Sequence, residues 1–303
     1  MPNKLVFSRE EYDRRIRRIK EAMDRRGMEV LLVVDPANMN YMTGYDGWSF
    51  YVHQGVILSL DADAPLWFGR QQDVNGARLT TWLPPDCIHG YPDEYVQSRY
   101  THTMRYVAQL LREQGLAEKR LGVEMDGYWF SARMYLTLQE ELPRSTLMDA
   151  TNLVNWVKTI KSGPEIACMR QAAQICEAVM RTAIDAISPG AWEKDAAAAV
   201  AAAQIAGTDD FGGSPPAIFP IMPAAERTST AHLTYDPDRR YNRGDVVLLE
   251  LCGTRHRYHA PLSRTVYLGE PPDDLRQTAE GVVTGLQETL RFMGPGVTAE
   301  AVE

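Results

Sequence analysis

The sequence predicts an α/β (α+β) protein in two parts, and three observations lead there. Short apolar strand patterns alternate with amphipathic helical ones through the first half. A capped, strongly periodic helix then opens the second half after a break near residues 156–162. Two adjacent apolar strands, 246–252 and 262–268, follow a loop rich in Gly and Pro. The 303 residues are 45% hydrophobic and 24% charged, an ordinary globular composition that excludes disorder. The length suits two domains, which the break sets at 1–156 and 157–303.

The elements follow in order. Ser8 and Glu11 spell a capping box, Tyr12, Ile16, Ile19 and Met23 follow at helical spacing, and Gly27 stops the helix. Val30–Val34 reads as a buried strand broken by Asp35-Pro36. Aromatic and β-branched residues make strands of Trp48–Leu58 and Leu66–Phe68. Helices are expected at Thr103–Gln114 and Ser131–Glu141, with a strand at Leu121–Glu124 between them. Ser162-Gly-Pro-Glu165 is a second capping box with Pro164 in the first turn. Ile166, Met169, Ala173, Cys176, Met180, Ala183 and Ile187 give the apolar stripe of a long helix closed by Ser188-Pro189-Gly190. Trp192–Ala206 is an alanine-rich helix whose small face suits close packing on a sheet, and Asp274–Phe292 is the last long helix.

A net charge of −8 argues against nucleic acid or an anionic membrane as the main partner. No apolar run approaches the roughly 18 residues of a membrane span. Cys87, Cys168, Cys176 and Cys252 show no CxxC spacing and suit reduced thiols in a cytoplasmic protein. Phosphate-binding glycine loops, GxSxG and HExxH are all missing from the sequence.

The candidate chemistry lies between Ala231 and Arg264. Glu250 stands inside an apolar run, Val246–Cys252, of the kind buried on both faces. A carboxylate there loses hydration worth several kcal/mol unless it is paired, hydrogen-bonded or protonated. It is either a structural ion pair with Arg255, Arg257 or Arg264, or a tuned base or nucleophile. His232 follows the polar stretch Arg227–Thr230 and could exchange a proton with a substrate nitrogen in partnership with Glu250. His256 and His259 read as solvated hairpin histidines before they read as metal ligands. In Gly44–Gln54, Tyr45, Trp48, Phe50 and Tyr51 with His53 are core packing or an aromatic wall for a small cation. Gly69–Asn75 is a solvated loop or, through Arg70, a carboxylate receptor.

The run Gly244–Thr265 resembles the central hairpin of the creatinase/proline-peptidase superfamily. The resemblance implies a creatinase-like N-terminal α/β domain followed by a pita-bread domain. Metal-dependent members carry an aspartate where Glu250 stands and another where Pro261 stands. Pro261 cannot ligate a metal, which points to the metal-free, creatinase-like branch, with no cofactor and with Ala231-His232 matching its catalytic Ala-His motif. Asp35–Asn40, Gly44–Gln54, Gly69–Gly76, Gly90–Asp93, Val123–Asp126, Tyr128–Ser131 and Pro261–Thr265 are similar to the ectoine-hydrolysing branch of that family. That resemblance implies opening of a cyclic amidine by a cytoplasmic homodimer, with ectoine or hydroxyectoine as substrate. It implies Glu250 and His232 as catalytic groups, and Trp48, Phe50, Tyr51, His53, Arg70, Tyr258 and His259 as substrate contacts. A metal-dependent Xaa-Pro peptidase and a non-catalytic binding module are the alternatives. The family's second domain runs on beyond the point matched by Glu303, so this stretch alone is expected to be an inactive, aggregation-prone part of the domain.

Overall fold

A computed structural model describes residues 5–303, which form two compact units, one ending at Pro164 and the other Glu165–Glu303. The first unit has the expected alternation. Helix α1 (Arg9–Arg25) is capped by the Ser8 hydroxyl, which accepts from the Glu11 N–H. The reciprocal half of the box is not made, because the Glu11 carboxylate serves Arg14, the buried Arg15 and the Ser162 hydroxyl instead. Burial alone would raise the Glu11 carboxyl, but these donors outweigh it and hold it below its ordinary value.

Strand β1 (Val30–Val33) is wholly buried, and Asp35 then caps α2 (Pro36–Thr43), with Pro36 in the first turn. The sequence reading ended the strand at this pair without seeing the helix that it starts. Strands β2 (Gly55–Ser59) and β3 (Leu66–Arg70) precede α3 (Val74–Thr80) and β4 (Ile88–Tyr91). Helix α4 (Thr103–Glu113), strand β5 (Arg120–Val123), helix α5 (Ala132–Glu141), strand β6 (Thr146–Asp149) and helix α6 (Leu153–Val157) complete the unit. The six strands lie in the order β4-β3-β2-β1-β5-β6. The β1–β2 and β2–β3 pairs are antiparallel and the other three parallel. Val30, Leu32, Ile57 and Leu121 of the sheet pack with Val107, Leu111, Met134 and Leu138 of α4 and α5 in one apolar cluster. Arg18 donates to the Val157 and Ile160 carbonyls, which ties the end of α6 to α1.

The segment Trp48–Gln54, expected to join a strand, is an irregular loop, because β2 begins only at Gly55. Its aromatic residues sit outside the core, so β-propensity here reflected a surface role rather than a pleated position.

The second unit is built on helix α7 (Gly163–Ala186) and helix α8 (Glu193–Ala206), packed on a hairpin of β7 (Val246–Arg255) and β8 (Tyr258–Tyr267). Ala196, Ala197 and Val200 of α8 meet Val247, Leu249 and Leu251, as its small residues required. The buried stripe of α7 begins one step off the expected one. Cys168, Ala172 and Ile175 face inward, whereas Ile166 and Ala173 are exposed. Gly253 explains the choice, since its Cα lies so close to the Ala172 carbonyl and the Cys176 nitrogen that no side chain fits there. Both strands are longer than expected. They run to a two-residue turn in which His256 and Arg257 have φ of 50° and 67°, the pattern of a type I′ hairpin. Helix α9 (Asp273–Phe292) buries none of its residues and leaves Val282, Leu286 and Leu290 exposed.

Candidate functional site

Strand β7 supplies the centre of the candidate site. Its odd-numbered residues Val247, Leu249 and Leu251 are buried under α7 and α8, while Val246, Leu248 and Glu250 on the other face are half-buried. The expectation that Glu250 lies in a strand buried on both faces is therefore corrected, since the helices cover only one. Glu250 pairs with Ser263 across the hairpin, and its diagonal neighbours on that face, Pro261 and Thr265, are exposed together with Ser263. On the other side Ile221 exchanges both backbone hydrogen bonds with Glu250, at 2.9 and 3.3 Å, which makes β7 the middle of three strands there.

Among the described residues no ion pair or side-chain hydrogen bond engages the Glu250 carboxylate. Arg255 turns to Gln171 and the Gly212 carbonyl, and Arg264 donates to the Ser263 carbonyl from the opposite face. The carboxylate is thus directed to an open, polar-edged face where it can accept a proton or attack an electrophile.

His232 lies in an exposed turn with φ of 64°. A left-handed conformation costs a non-glycine residue about 1 kcal/mol or more and persists only where its surroundings impose it. The surroundings are visible. Arg227 reaches the Thr234 carbonyl, the Asp236 N–H donates to the fully buried Glu193, and Arg239 bridges Glu193 and Asp245 at 2.7 and 2.8 Å. This buried charge network fixes both ends of the loop that displays the imidazole.

Tyr258 and His259 fall on opposite faces of β8. Tyr258 lies on the α7 side and donates to the buried Glu165 at 2.9 Å. His259 shares the face of Glu250, four residues from Ser263 along β8, which is roughly 13 Å at ~3.3 Å per residue. It is half-buried with both ring nitrogens engaged, rather than a solvated loop histidine.

The first unit gathers its own candidates. Trp48, Phe50 and Tyr51 form a ladder with ring centroids 5.2 and 5.3 Å apart, and Trp48 and Phe50 are 78% and 71% exposed. Of the two readings offered by the sequence, exposure excludes core packing for these three rings, whereas Tyr45 is buried and packs against Trp67. Arg70 ends β3 and holds Asp93 through a bidentate pair at 2.7 and 2.8 Å. Its fork is therefore filled by a carboxylate from its own chain, which is held below its ordinary pKa by the guanidinium. His53 and His102 lie with ring centroids 5.0 Å apart and planes tilted by 42°, beside a cavity of about 90 Å³ that Tyr51, Tyr91 and Tyr95 also line. Burial lowers the pKa of both, and His102 falls to about 4 through burial first and then the neighbouring His53, Arg133 and Arg105.

Residues 15–160 match the Creatinase/Prolidase N-terminal domain, and residues 167–303 match Metallopeptidase family M24. The chain is 44% identical over 299 residues to an uncharacterized hydrolase/peptidase of Sinorhizobium fredii, covering 99% of this chain and 76% of that one. It is 42% identical over 298 residues to the ectoine hydrolase of Halomonas elongata, covering 96% and 74%. The chain belongs to the creatinase/prolidase family. Among solved structures the prolidase of Thermococcus sibiricus has a TM-score of 0.80 at 19% identity, covering 96% of this chain and 75% of that one. The prolidase of Pyrococcus horikoshii has 0.78 at 18%, covering 95% and 75%, so the creatinase/prolidase fold is shared across low identity.

The M24 half of the family implies a metal centre, and the residues here do not fit one. Glu250 has Ser263, Pro261 and Ile221 as neighbours, none of which carries a second carboxylate or imidazole. Among the described residues no group of three or more His, Cys, Asp or Glu converges well enough to hold a metal ion. Among the described residues no helix is long and apolar enough to cross a membrane.

Sequence reasoning missed three participants. Asp93, the partner of Arg70, lies in Gly90–Asp93, and its acidic charge near a conspicuous arginine was the available signal. His102 was passed over because a histidine is an uncommon helix cap, yet its Nδ1 accepts from the Met104 N–H at the start of α4. Ser263 follows from register alone, which a sequence does not print.

Proposed function

We propose that this protein is a hydrolase that opens the cyclic amidine ring of ectoine to N-acetyl-2,4-diaminobutyrate, in the breakdown of a compatible solute. The observation that carries the reading is the 42% identity to an ectoine hydrolase over 96% of this chain and 74% of that one, together with a half-buried Glu250 carboxylate that no described residue pairs with. Glu250 attacks the amidine carbon directly or takes a proton from the water that does. His232 delivers a proton to the ring nitrogen as the C–N bond breaks, so that one water is consumed for each ring opened. The aromatic ladder of Trp48, Phe50 and Tyr51 offers ring faces to the amidinium, a contact worth about 0.5–1 kcal/mol at an exposed site. Arg70 is the candidate receptor for the ring carboxylate, which would compete with Asp93. His53 lines the aromatic loop, whereas Tyr258 and His259, expected as substrate contacts, are engaged instead with Glu165 and with Ala217 and Arg257. The family resemblance further supports a cytoplasmic homodimer acting on ectoine or hydroxyectoine.

The route is proposed to be metal-independent, and what supports it is the donor set: Pro261 stands where a second carboxylate is needed. A metal-dependent Xaa-Pro peptidase is the second reading, favoured by the M24 match and the prolidase likeness. Titration calorimetry with ectoine, run beside mass-spectrometric detection of the opened product, separates the readings. Product formation that survives exhaustive chelation supports the proposal. Cleavage of an Xaa-Pro dipeptide that needs added metal supports the second reading, and binding without product makes the protein a binding module. Glu250→Gln is expected to lower turnover at least ~100-fold, as loss of a general base or nucleophile does. Unchanged turnover in that variant removes Glu250 from the chemistry.

A further inference from the structure

The ring of His259 has two partners of opposite character. Its Nε2 lies 3.0 Å from the Ala217 backbone nitrogen, and its Nδ1 lies 3.0 Å from the Arg257 carbonyl oxygen. A backbone N–H can only donate and a carbonyl can only accept. Nε2 therefore carries the lone pair and Nδ1 the proton, which fixes one neutral tautomer. Neither nitrogen is left over for a ligand.

The segment that His259 holds is short of other tethers. Pro215, Pro216 and Pro220 have no N–H to give. Upstream, the loop is sewn to the hairpin at three points. The Ser214 N–H donates to the Thr254 carbonyl at 2.8 Å, the His256 N–H to the Ser214 hydroxyl at 3.2 Å, and Arg255 to the Gly212 carbonyl at 2.8 Å. Downstream, Ile221 is bonded to Glu250 in both directions. Ala217–Pro220 thus spans from His259 to Glu250, with Ile218 and Phe219 exposed at 43% and 83%. We propose that His259 is a positioning residue, a neutral imidazole strut that holds Ala217–Pro220 as one wall of the Glu250 site and leaves Phe219 to meet the substrate. The wall's role rests on the function proposed above for Glu250, whereas the strut does not.

The test therefore has two arms. With ¹⁵N-labelled histidine, two-bond ¹⁵N–¹H correlations read the tautomer of His259 in the wild-type protein, and Nδ1–H with a bare Nε2 is expected. Amide exchange is then compared in His259→Gln, whose side-chain oxygen can still accept, and His259→Phe, which cannot. Loss of one hydrogen bond should speed exchange at Ala217 about five- to tenfold in the Phe variant, while the Gln variant stays near wild type. An Nε2–H tautomer, or equal exchange in all three proteins, overturns the strut. In ring opening, His259→Phe should raise KM with little change in kcat, and His259→Gln should restore it. A large fall in kcat in both variants would make His259 a catalytic group and overturn the assignment. If wild-type protein opens no ring, the proposed function fails while the tautomer and exchange data still decide the strut.

Discussion

Acidification should strain the first unit at one identifiable place, the adjacent pair His53 and His102. The pKa of His102 lies at about 4 against an ordinary 6.5, because burial and then the neighbouring His53, Arg133 and Arg105 disfavour its charge. The unfolded chain therefore binds more protons than the folded one between those values, and stability must fall as pH drops through that window. Between about pH 7.5 and pH 5 the linkage amounts to ~2 kcal/mol, and because the ring is only half-buried, solvent screening brings it to about 1 kcal/mol. His102→Asn is the informative substitution. Asparagine is a strong helix cap, so it can replace the bond that His102 Nδ1 accepts from Met104 while removing the titrating ring. Urea denaturation of both proteins at the two pH values gives the double difference, in which other titrating groups cancel. The variant should lose about 1 kcal/mol less than wild type on acidification and match it near neutrality. Equal acid sensitivity in the two proteins would refute the reasoning.

Other substitutions probe the second unit and the ladder. Gly253→Ala would press a methyl group onto the Ala172 carbonyl and the Cys176 nitrogen, both backbone atoms that cannot move aside. It should cost about 2–3 kcal/mol in denaturant titration. Arg239→Met removes the partner of Glu193, which is fully buried, and should destabilise by about 3 kcal/mol, whereas an exposed pair such as Arg9–Asp13 should cost under ~1 kcal/mol when broken. Trp48→Ala should weaken ectoine binding by about 1 kcal/mol, or roughly fivefold in Kd by calorimetry, without changing stability, because the ring is exposed.

Much of the fold was legible because local signals agreed with one another. Ser131 caps α5 at the start of the expected helix, Gly27 adopts left-handed backbone at the end of α1, and β1 is as buried as its composition asks. The misreadings share a cause. Trp48–Gln54 looked like strand because aromatic residues favour pleated surfaces, yet nothing local says whether those rings face a core or solvent. The start of α7 was rotated because Ile166 outweighs Ala172 in any hydrophobic pattern, while the packing was decided by Gly253, far along the chain. The candidate site was legible as residue types only. Glu250, His232 and Arg70 were visible, but their partners were set by register and by loops: Ser263, the Glu193–Arg239–Asp245 network and Asp93.

The two readings that the sequence left open for Glu250 are separated by the hairpin turn. With His256 and Arg257 as a two-residue turn, Glu250 faces Ser263 and Arg264 faces Leu249 on the opposite side. A one-residue slip would set Arg264 directly across from Glu250 on the same face, since side chains alternate with a period of two. The carboxylate would then be an ordinary surface ion pair. Type I′ turns favour Asn-Gly because both central residues need positive φ, and His-Arg adopts that geometry at about 1 kcal/mol or more for each residue. Two contacts offset that strain: the His256 N–H donates to Ser214, and the Arg257 carbonyl accepts from His259. The same contacts that tether the Pro-rich loop therefore also lock the register. A strained turn, its loop clasp and an unpaired Glu250 are one arrangement, and relaxing the turn by one residue would exchange an unpaired carboxylate for a salt bridge.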